Sequence, residues 1–538
     1  MKRRDFIKLG ALGSVPVLVG WNTAIARALQ TQIACGELHD RIMVVVILPG
    51  GLDSINFLIP TKHTSTYRNL RPTLSVTNPI RLTNEHGLHP ELDALRRQYD
   101  NGCVSFVDAI GYEKTSGSHF TSMDLVFAGG GGHMFPSKGG TTGRMMESIY
   151  PYYPVAFPNG DNMHPIALQF GSLTTSNIML NTNSTSMGLT QFDDVSDFHE
   201  MITSVGWPMV DLTGKGEYKR KLNYIRDTAI ASNQYAINLL DAWNKGKNYV
   251  NYTDSYHTST FIYPDNIFMP PLKAIARLID GGCDTRLYVH RVSGNIFDTH
   301  SNQEGQFDQL IYHLSNAISD FIDDLKAAGN ADRVLGLTLS EFGRQIRENS
   351  GGGTDHGTFY ASTVFGSALN GGIYGDPIDI TKSQYNRVSN KNYDYRELLY
   401  VFAKDWLGLD QDRMKHSELE QFQNTGLDLI SGSQKAPSGC YSTFSTEPPK
   451  NTDVNLQVYP NPSNGVFRVK TEGFSAANKH LIEVFTLDGR KVFGTSYSLV
   501  ANVDNEVHLS RKGFYVLRVT TTSPNGEQTI QSKKIVVN

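Results

Sequence analysis

Six residues spread along the chain have side chains that ligate divalent cations: Asp53, Asp298, His300, Glu341, Asp355 and His356. Each follows a strand-like run or sits in a glycine-rich loop. Several carboxylates brought to one place repel one another unless a cation lies among them. A mixed oxygen and nitrogen donor set suits zinc, manganese, iron or a similar divalent ion. Such an ion lowers the pKa of a bound water or polarises an ester oxygen. Ser118 is followed directly by His119, a pairing that can activate a hydroxyl for attack. Arg344, with Arg144 as a second choice, could hold an anionic group through its guanidinium fork. Plainer roles fit the same residues. Asp53 could cap a helix, Asp298 and His300 could form a hydrogen-bonded pair, Glu341 and Arg344 a salt bridge, Asp355-His356 a turn, and Ser118 a turn residue.

The elements that must position these groups read as an α/β fold. Arg41 to Leu48 is a continuous apolar run, the pattern of a strand buried on both faces, and it ends in Pro49-Gly50-Gly51-Leu52-Asp53. Arg286 to Val292 is a second strand, leading to Phe297-Asp298-Thr299-His300. Val334 to Leu339 is a third and runs into Ser340-Glu341-Phe342-Gly343-Arg344. Between the last two, Phe307, Leu310, Ile311, Leu314, Ile318, Phe321, Ile322 and Leu325 recur at spacings of three and four, one apolar stripe of a helix that Gly329 stops. Strand, helix, strand predicts a mostly parallel sheet flanked by helices. In open sheets of that kind, sites form beyond the carboxyl ends of the strands. The stretch from Gly160 to Tyr263, rich in Asn, Ser, Thr and Tyr, reads as loops and helices capping the sheet.

The two ends have a different texture. Lys2-Arg3-Arg4-Asp5-Phe6-Ile7-Lys8, a short apolar run to Trp21 and an Ala24-Ile25-Ala26 or Ala26-Arg27-Ala28 cleavage site make a signal peptide over 1–28. The run is too short for the roughly 20 residues of a membrane-crossing helix. The Arg pair followed by Phe6 and Lys8 resembles the twin-arginine export signal. The folded domain is expected over 38–430, a Ser/Pro/Lys/Thr-rich linker over 431–454, and a last domain over 455–538. In that domain Phe467/Val469, Ile482/Val484 and Tyr515/Leu517/Val519 alternate with polar residues, and Asp488-Gly489 is a turn, which together predict a small antiparallel β-sandwich. The 538 residues carry a formal charge of −4, so nothing suggests a nucleic-acid partner. Cys35, Cys103, Cys283 and Cys440 show no C-x-x-C spacing. A Cys103–Cys283 disulfide and buried free thiols are both open.

Several motifs resemble known families. Gly50-Gly51-x-Asp53, Gly117-Ser118-His119-Phe120, Phe297-Asp298-Thr299-His300-x-Asn302-Gln303, Ser340 to Arg344, Gly353-Thr354-Asp355-His356-Gly357, Asp394-Tyr395-Arg396 and Asp405-Trp406-Leu407-Gly408 look like the DUF1501 family, over roughly residues 40 to 410. That family is similar in turn to the alkaline phosphatase and sulfatase superfamily. The likeness implies an alkaline phosphatase-like sheet and a metal-dependent hydrolase of phosphate or sulfate esters. It further implies Asp53, Asp298, His300, Glu341 and His356 as metal ligands and Ser118 as nucleophile. Phe342 stands where a ligand His is expected; His119 or Asp355 would compensate, or a single metal would bind. The other reading is a non-catalytic surface protein that keeps the fold for binding. Tyr459-Pro460-Asn461-Pro462, Leu487-Asp488-Gly489-Arg490, Gly513-Phe514-Tyr515-Val516 and Lys533-Lys534-Ile535-Val536-Val537 resemble the type A sorting domain of type IX secretion. This implies the twin-arginine translocase and the type IX machinery as partners, and a secreted or cell-surface location reached through the periplasm.

Overall fold

The β-branched run beginning at Ile42 becomes the buried centre of the main sheet. The structure, a computed structural model, describes residues 40–200 and 232–437, each with short gaps, and 455–538, also with gaps. The signal read at 1–28, most of the linker at 431–454, Cys35, Cys440 and the Asp488-Gly489 turn lie outside the described residues. The chain divides into two compact units, Met1–Phe444 and Ser445–Asn538.

In the first unit the strands of the main sheet are β1 (Ile42–Ile47), β2 (Val104–Gly111), β3 (Ala167–Gly171), β4 (Gly188–Phe192), β5 (Leu287–Arg291), β6 (Val334–Leu339), β7 (Tyr360–Gly366), β8 (Gly372–Tyr374) and β9 (Tyr393–Asp394). They form one nine-stranded sheet in the order β8-β2-β7-β6-β1-β5-β3-β4, with β9 also beside β2. β1 pairs parallel with β5 and β6 in register, Val46 opposite both His290 and Thr338. β7 runs antiparallel to both β6 and β2, and the remaining pairings are parallel. The sheet is therefore mostly parallel, as the strand–helix–strand pattern predicts. Every residue of β1 and β6 is buried, which is why their sequences are apolar throughout rather than alternating.

The stretch from Gly160 to Tyr263 differs from expectation. It contributes β3 and β4, two strands of the main sheet, rather than only capping loops and helices. Both are five-residue segments at the sheet margin, too short to stand out from the polar sequence around them.

The helices that matter to the rim are α1 (Ser54–Phe57), α2 (His119–Ala128) and α3 (Gln303–Ala327). The predicted apolar stripe of α3, from Phe307 to Leu325, is buried throughout. Gly329 follows its end at φ 70°, a conformation that costs glycine little. Cys103 and Cys283 are both buried and free, so the disulfide alternative falls and the plain-thiol reading holds. Among the described residues no helix is long and apolar enough to cross a membrane.

The second unit holds seven antiparallel strands. They are β10 (Asn455–Tyr459), β11 (Val466–Glu472), β12 (Lys479–Thr486), β13 (Lys491–Ser498), β14 (Val503–His508), β15 (Gly513–Thr522) and β16 (Gln528–Val537). One sheet runs β10-β11-β14 and the other β13-β12-β15-β16. Phe467, Val469, Ile482, Val484, Leu517 and Val519 share its core, so the predicted alternation sends these side chains inward between the sheets.

Because β1, β2, β5 and β6 are parallel, their carboxyl ends share one rim. β7 runs the other way, so the loop entering it arrives at that same rim. This delivers Asp53 after β1, His119 after β2, Asp298 and His300 after β5, Glu341 after β6, and Asp355 with His356 just before β7.

Candidate metal centre

Three imidazoles and one carboxylate meet at the rim. The Nε2 atoms of His119, His300 and His356 lie 3.2, 3.1 and 3.1 Å from Oδ1 of Asp298. Ligand atoms of His119, Asp298 and His356 all fall within 4.8 Å of one another, and the Nε2 atoms of His300 and His356 are 2.9 Å apart.

The other nitrogen of each ring decides what these Nε2 atoms offer. Nδ1 of His119 is 2.7 Å from Oε1 of Glu341. Nδ1 of His300 is 2.9 Å from Oδ1 of Asp355. Nδ1 of His356 is 2.6 Å from the carbonyl oxygen of Gly117. Carboxylates and carbonyls only accept, so each Nδ1 donates its proton to the partner behind it, which leaves each Nε2 facing the common point. Partners of this kind fix the tautomer and the orientation of metal-bound histidines.

Two further observations test whether a cation fits. Nε2 of His119 is buried without a hydrogen bond, although it faces Asp298. Oδ1 of Asp298 has three imidazoles and the Arg344 guanidinium around it, whereas an sp² oxygen has two lone pairs to give. Two facing Nε2 lone pairs at 2.9 Å repel unless a proton or a cation lies between them. The donors therefore fit one divalent ion held by three imidazole nitrogens and one carboxylate oxygen, a set compatible with zinc, manganese or iron. His300 is 45% exposed and marks the open side.

Each ligand is held from behind. Buried Glu341 accepts from the Gly50 N–H at 2.7 Å and from the Ser340 hydroxyl at 3.2 Å as well as from His119. It thus stands behind His119 rather than beside the common point, and Asp355 stands likewise behind His300. The ring of Phe342 lies 5.0 Å from those of both His119 and His356, packing them where the family likeness implies another His. Gly353 lets two ligand turns approach closely. A Cβ there would meet the His300 carbonyl carbon and the Thr299 oxygen, both at 2.4 Å. These are backbone atoms and cannot rotate aside. Gly353→Ala is expected to add about 1–3 kcal/mol of strain and to weaken metal binding, read by urea unfolding and cobalt(II) titration.

The remaining expected site residues have other partners. Asp53 precedes α1 but makes no cap hydrogen bond. Its Oδ2 instead pairs with Arg71 at 2.6 Å and with the Gln303 amide, so the capping alternative is set aside, and it is not among the clustered ligand atoms. Ser118 is the N-cap of α2, its Oγ accepting from the Thr121 N–H at 3.5 Å. Arg344 is fully buried. It donates to the carbonyls of Gly50, Gly51, Phe297 and Thr354 and to Asp298. Arg144 donates to those of Ala128, Lys138, Gly139 and Ser417. Neither guanidinium reaches solvent to grip an anion, which corrects the expectation of a substrate fork. The Glu341–Arg344 salt bridge is replaced by Arg344–Asp298.

Burial pushes the His119 pKa down, but Asp298 and Glu341 on its two sides outweigh this and raise it from 6.5 to about 9. Burial raises the Asp298 pKa, and the neighbouring His119, His356 and Arg344 outweigh it, holding the carboxyl well below its ordinary range. The folded His119 pKa lies above the unfolded one. Its stabilisation of the metal-free protein is therefore full below pH 6.5 and lost as pH rises through about 9. A cation must displace the Nε2 proton. Metal affinity is expected to rise with pH up to about 9, with about one proton released per metal at neutral pH. Calorimetric titration in buffers of different ionisation enthalpy checks both.

The comparisons divide along the same boundary. Residues 278–425 match the family model described as "Protein of unknown function (DUF1501)". That span holds Asp298, His300, Glu341, Arg344, Asp355 and His356 but neither Asp53 nor the Ser118-His119 pair. No curated protein matches the chain. Solved structures similar to part of it include the PmoD soluble domain from Methylocystis sp. ATCC 49242 (Rockwell), at 14% identity and a TM-score of 0.14, covering 16% of this chain and 90% of that one. Dimeric latent PorU from Porphyromonas gingivalis is similar at 20% identity and a TM-score of 0.14, covering 16% of this chain and 9% of that one. At those scores neither bears on the main fold. Residues 457–538 match the model described as "Secretion system C-terminal sorting domain", which supports a secreted or cell-surface location.

Proposed function

We propose that this exported protein carries a mononuclear divalent-metal centre held by His119, Asp298, His300 and His356. We read its first unit as a metal-dependent hydrolase of small anionic esters, phosphate or sulfate esters being the class implied by the superfamily likeness. The observation that supports the metal is the set of three Nδ1 protons committed to Glu341, Asp355 and the Gly117 carbonyl, which turns three Nε2 atoms onto one carboxylate oxygen. When bound, a divalent ion there acidifies water and polarises an ester oxygen. The chain's own residues keep the site in shape: Arg344 holds Asp298, Glu341 holds His119, and Asp355 holds the exposed His300. The twin-arginine signal completes the reading. That route carries folded proteins, so the metal is acquired before export, and the type IX machinery then takes the protein across the outer membrane.

One observation favours a second reading, a metal-binding surface protein without catalysis. Four protein ligands saturate a tetrahedral ion such as zinc, while a five- or six-coordinate ion such as manganese or iron keeps a place for water. Metal analysis of the purified full chain, followed by aryl phosphate and aryl sulfate assays, decides between them. About one metal per chain with turnover that His356→Ala abolishes supports the enzyme. Bound metal without turnover supports the surface protein, and no bound metal removes both. Loss of turnover in Ser118→Ala as well would make Ser118 the nucleophile, and retained turnover would leave it as the cap of α2.

A further inference from the structure

Gln303 is the first residue of α3, wholly buried, and outside every role assigned so far. Its side-chain oxygen accepts from the Thr299 hydroxyl at 3.0 Å and from the Thr354 hydroxyl at 2.6 Å. Thr299 lies between Asp298 and His300, and Thr354 stands immediately before Asp355 and His356. Its side-chain nitrogen donates to Oδ2 of Asp53, and its backbone N–H donates to the Gly352 carbonyl at 2.9 Å. One amide thus joins the loop after β1 to both turns that bear ligands. The two turns also touch directly, through the Thr354 N–H donating to the Thr299 oxygen at 3.1 Å. The preceding residue, Asn302, stands at φ 48°, a left-handed conformation that asparagine adopts more readily than most other non-glycine residues.

We propose that Gln303 is the positioning residue of the metal centre. It fixes the spacing between the Asp298/His300 turn and the Asp355/His356 turn, with Asp53 and Arg71 as the anchor behind it. This rests on the metal-centre reading. An amide suits the post because it accepts from two hydroxyls on one side and donates to a carboxylate on the other. A carboxylate at 303 would repel Asp53, and an aliphatic side chain would leave both threonine hydroxyls unpaired. The anchor explains why Asp53 is acidic without standing among the clustered ligands. Its charge balances Arg71, and its oxygen takes the Gln303 donor.

The test uses the full chain and cobalt(II), whose visible spectrum reports ligand geometry. Gln303→Leu is expected to weaken cobalt(II) binding roughly 10- to 100-fold, the effect of losing an outer-shell partner, and to alter the spectrum. In metal-free protein, amide exchange is expected to speed up in the 297–300 and 353–356 segments while β1 and β6 stay protected. Thr354→Val, which removes one of the two hydroxyls that the Gln303 oxygen accepts and leaves the Asp53–Arg71 pair intact, is expected to give a smaller loss of the same kind. Wild-type affinity and exchange in Gln303→Leu would overturn the proposal. So would faster exchange throughout the sheet, which marks a merely structural residue, or wild-type affinity in a folded Thr354→Val. If the wild type binds no cobalt(II), the metal-centre reading fails and the exchange measurement alone decides whether Gln303 sets the spacing of the two turns.

Discussion

Asp298→Asn is expected to weaken metal binding roughly a hundredfold and to lower the stability of the metal-free protein at the same time. Oδ1 of Asp298 is the only carboxylate oxygen in the cluster shared by all three imidazoles. Four-ligand zinc sites bind with apparent free energies of roughly 10–16 kcal/mol, so one ligand is worth about 3 kcal/mol, or roughly a hundredfold in Kd. The second effect comes from Arg344. Its side chain is fully buried and Asp298 is its carboxylate partner. The neutral amide still accepts but takes the counter-charge away, leaving the guanidinium with neutral oxygens alone, at a cost of about 3 kcal/mol. The two effects separate by experiment. Metal content and cobalt(II) titration read the first, and urea unfolding in the presence of chelator reads the second. Asp298→Asn with wild-type cobalt(II) affinity would sink the assigned ligand set. Wild-type stability without metal would show that the carbonyl cage alone satisfies Arg344.

Three of the nine strands of the main sheet and the place of a candidate site beyond their ends were legible because apolar runs and an amphipathic stripe have local causes. β1, β5, β6 and α3 follow from composition and period, and chemistry-bearing residues directly follow three of those strands. The reversed direction of β7 was not legible, since no local feature distinguishes a strand buried in a parallel sheet from one buried beside it. That reversal is what carries His356 to the rim. The division of labour among the acidic residues was equally hidden. Asp53, Glu341 and Asp355 look like ligands in sequence because a carboxylate that binds a cation and one that accepts from a histidine are the same residue type. Only the position of Nδ1 separates them. The sequence offers His119 both as the partner of Ser118 and as a compensating ligand, and the structure turns it toward Asp298 and Glu341. Its place relative to β2 held a usable signal: like Asp298 and His300, it lies beyond the carboxyl end of a strand of the sheet. The acceptor behind His356 is a backbone carbonyl, that of Gly117, which no side-chain pattern encodes.

The Asp53–Arg71 pair yields the other large effect. Both side chains are almost wholly buried, and the guanidinium also donates to the Asn56 side chain and to the carbonyls of Gln345 and Ile346. Breaking a buried pair from one side strands the remaining charge, at a cost of about 3–5 kcal/mol, a large share of the roughly 5–15 kcal/mol that keeps a domain folded. Arg71→Met is expected to lose that much in urea unfolding. Asp53 would then keep only the Gln303 amide, with Oδ1 already unpartnered. Adding Asp53→Asn to Arg71→Met removes the stranded charge, so the double variant is expected to be more stable than Arg71→Met alone. Equal stability of single and double variants at neutral pH would show that Arg71 acts through its backbone contacts, and that the charge of Asp53 is not what the interior has to balance.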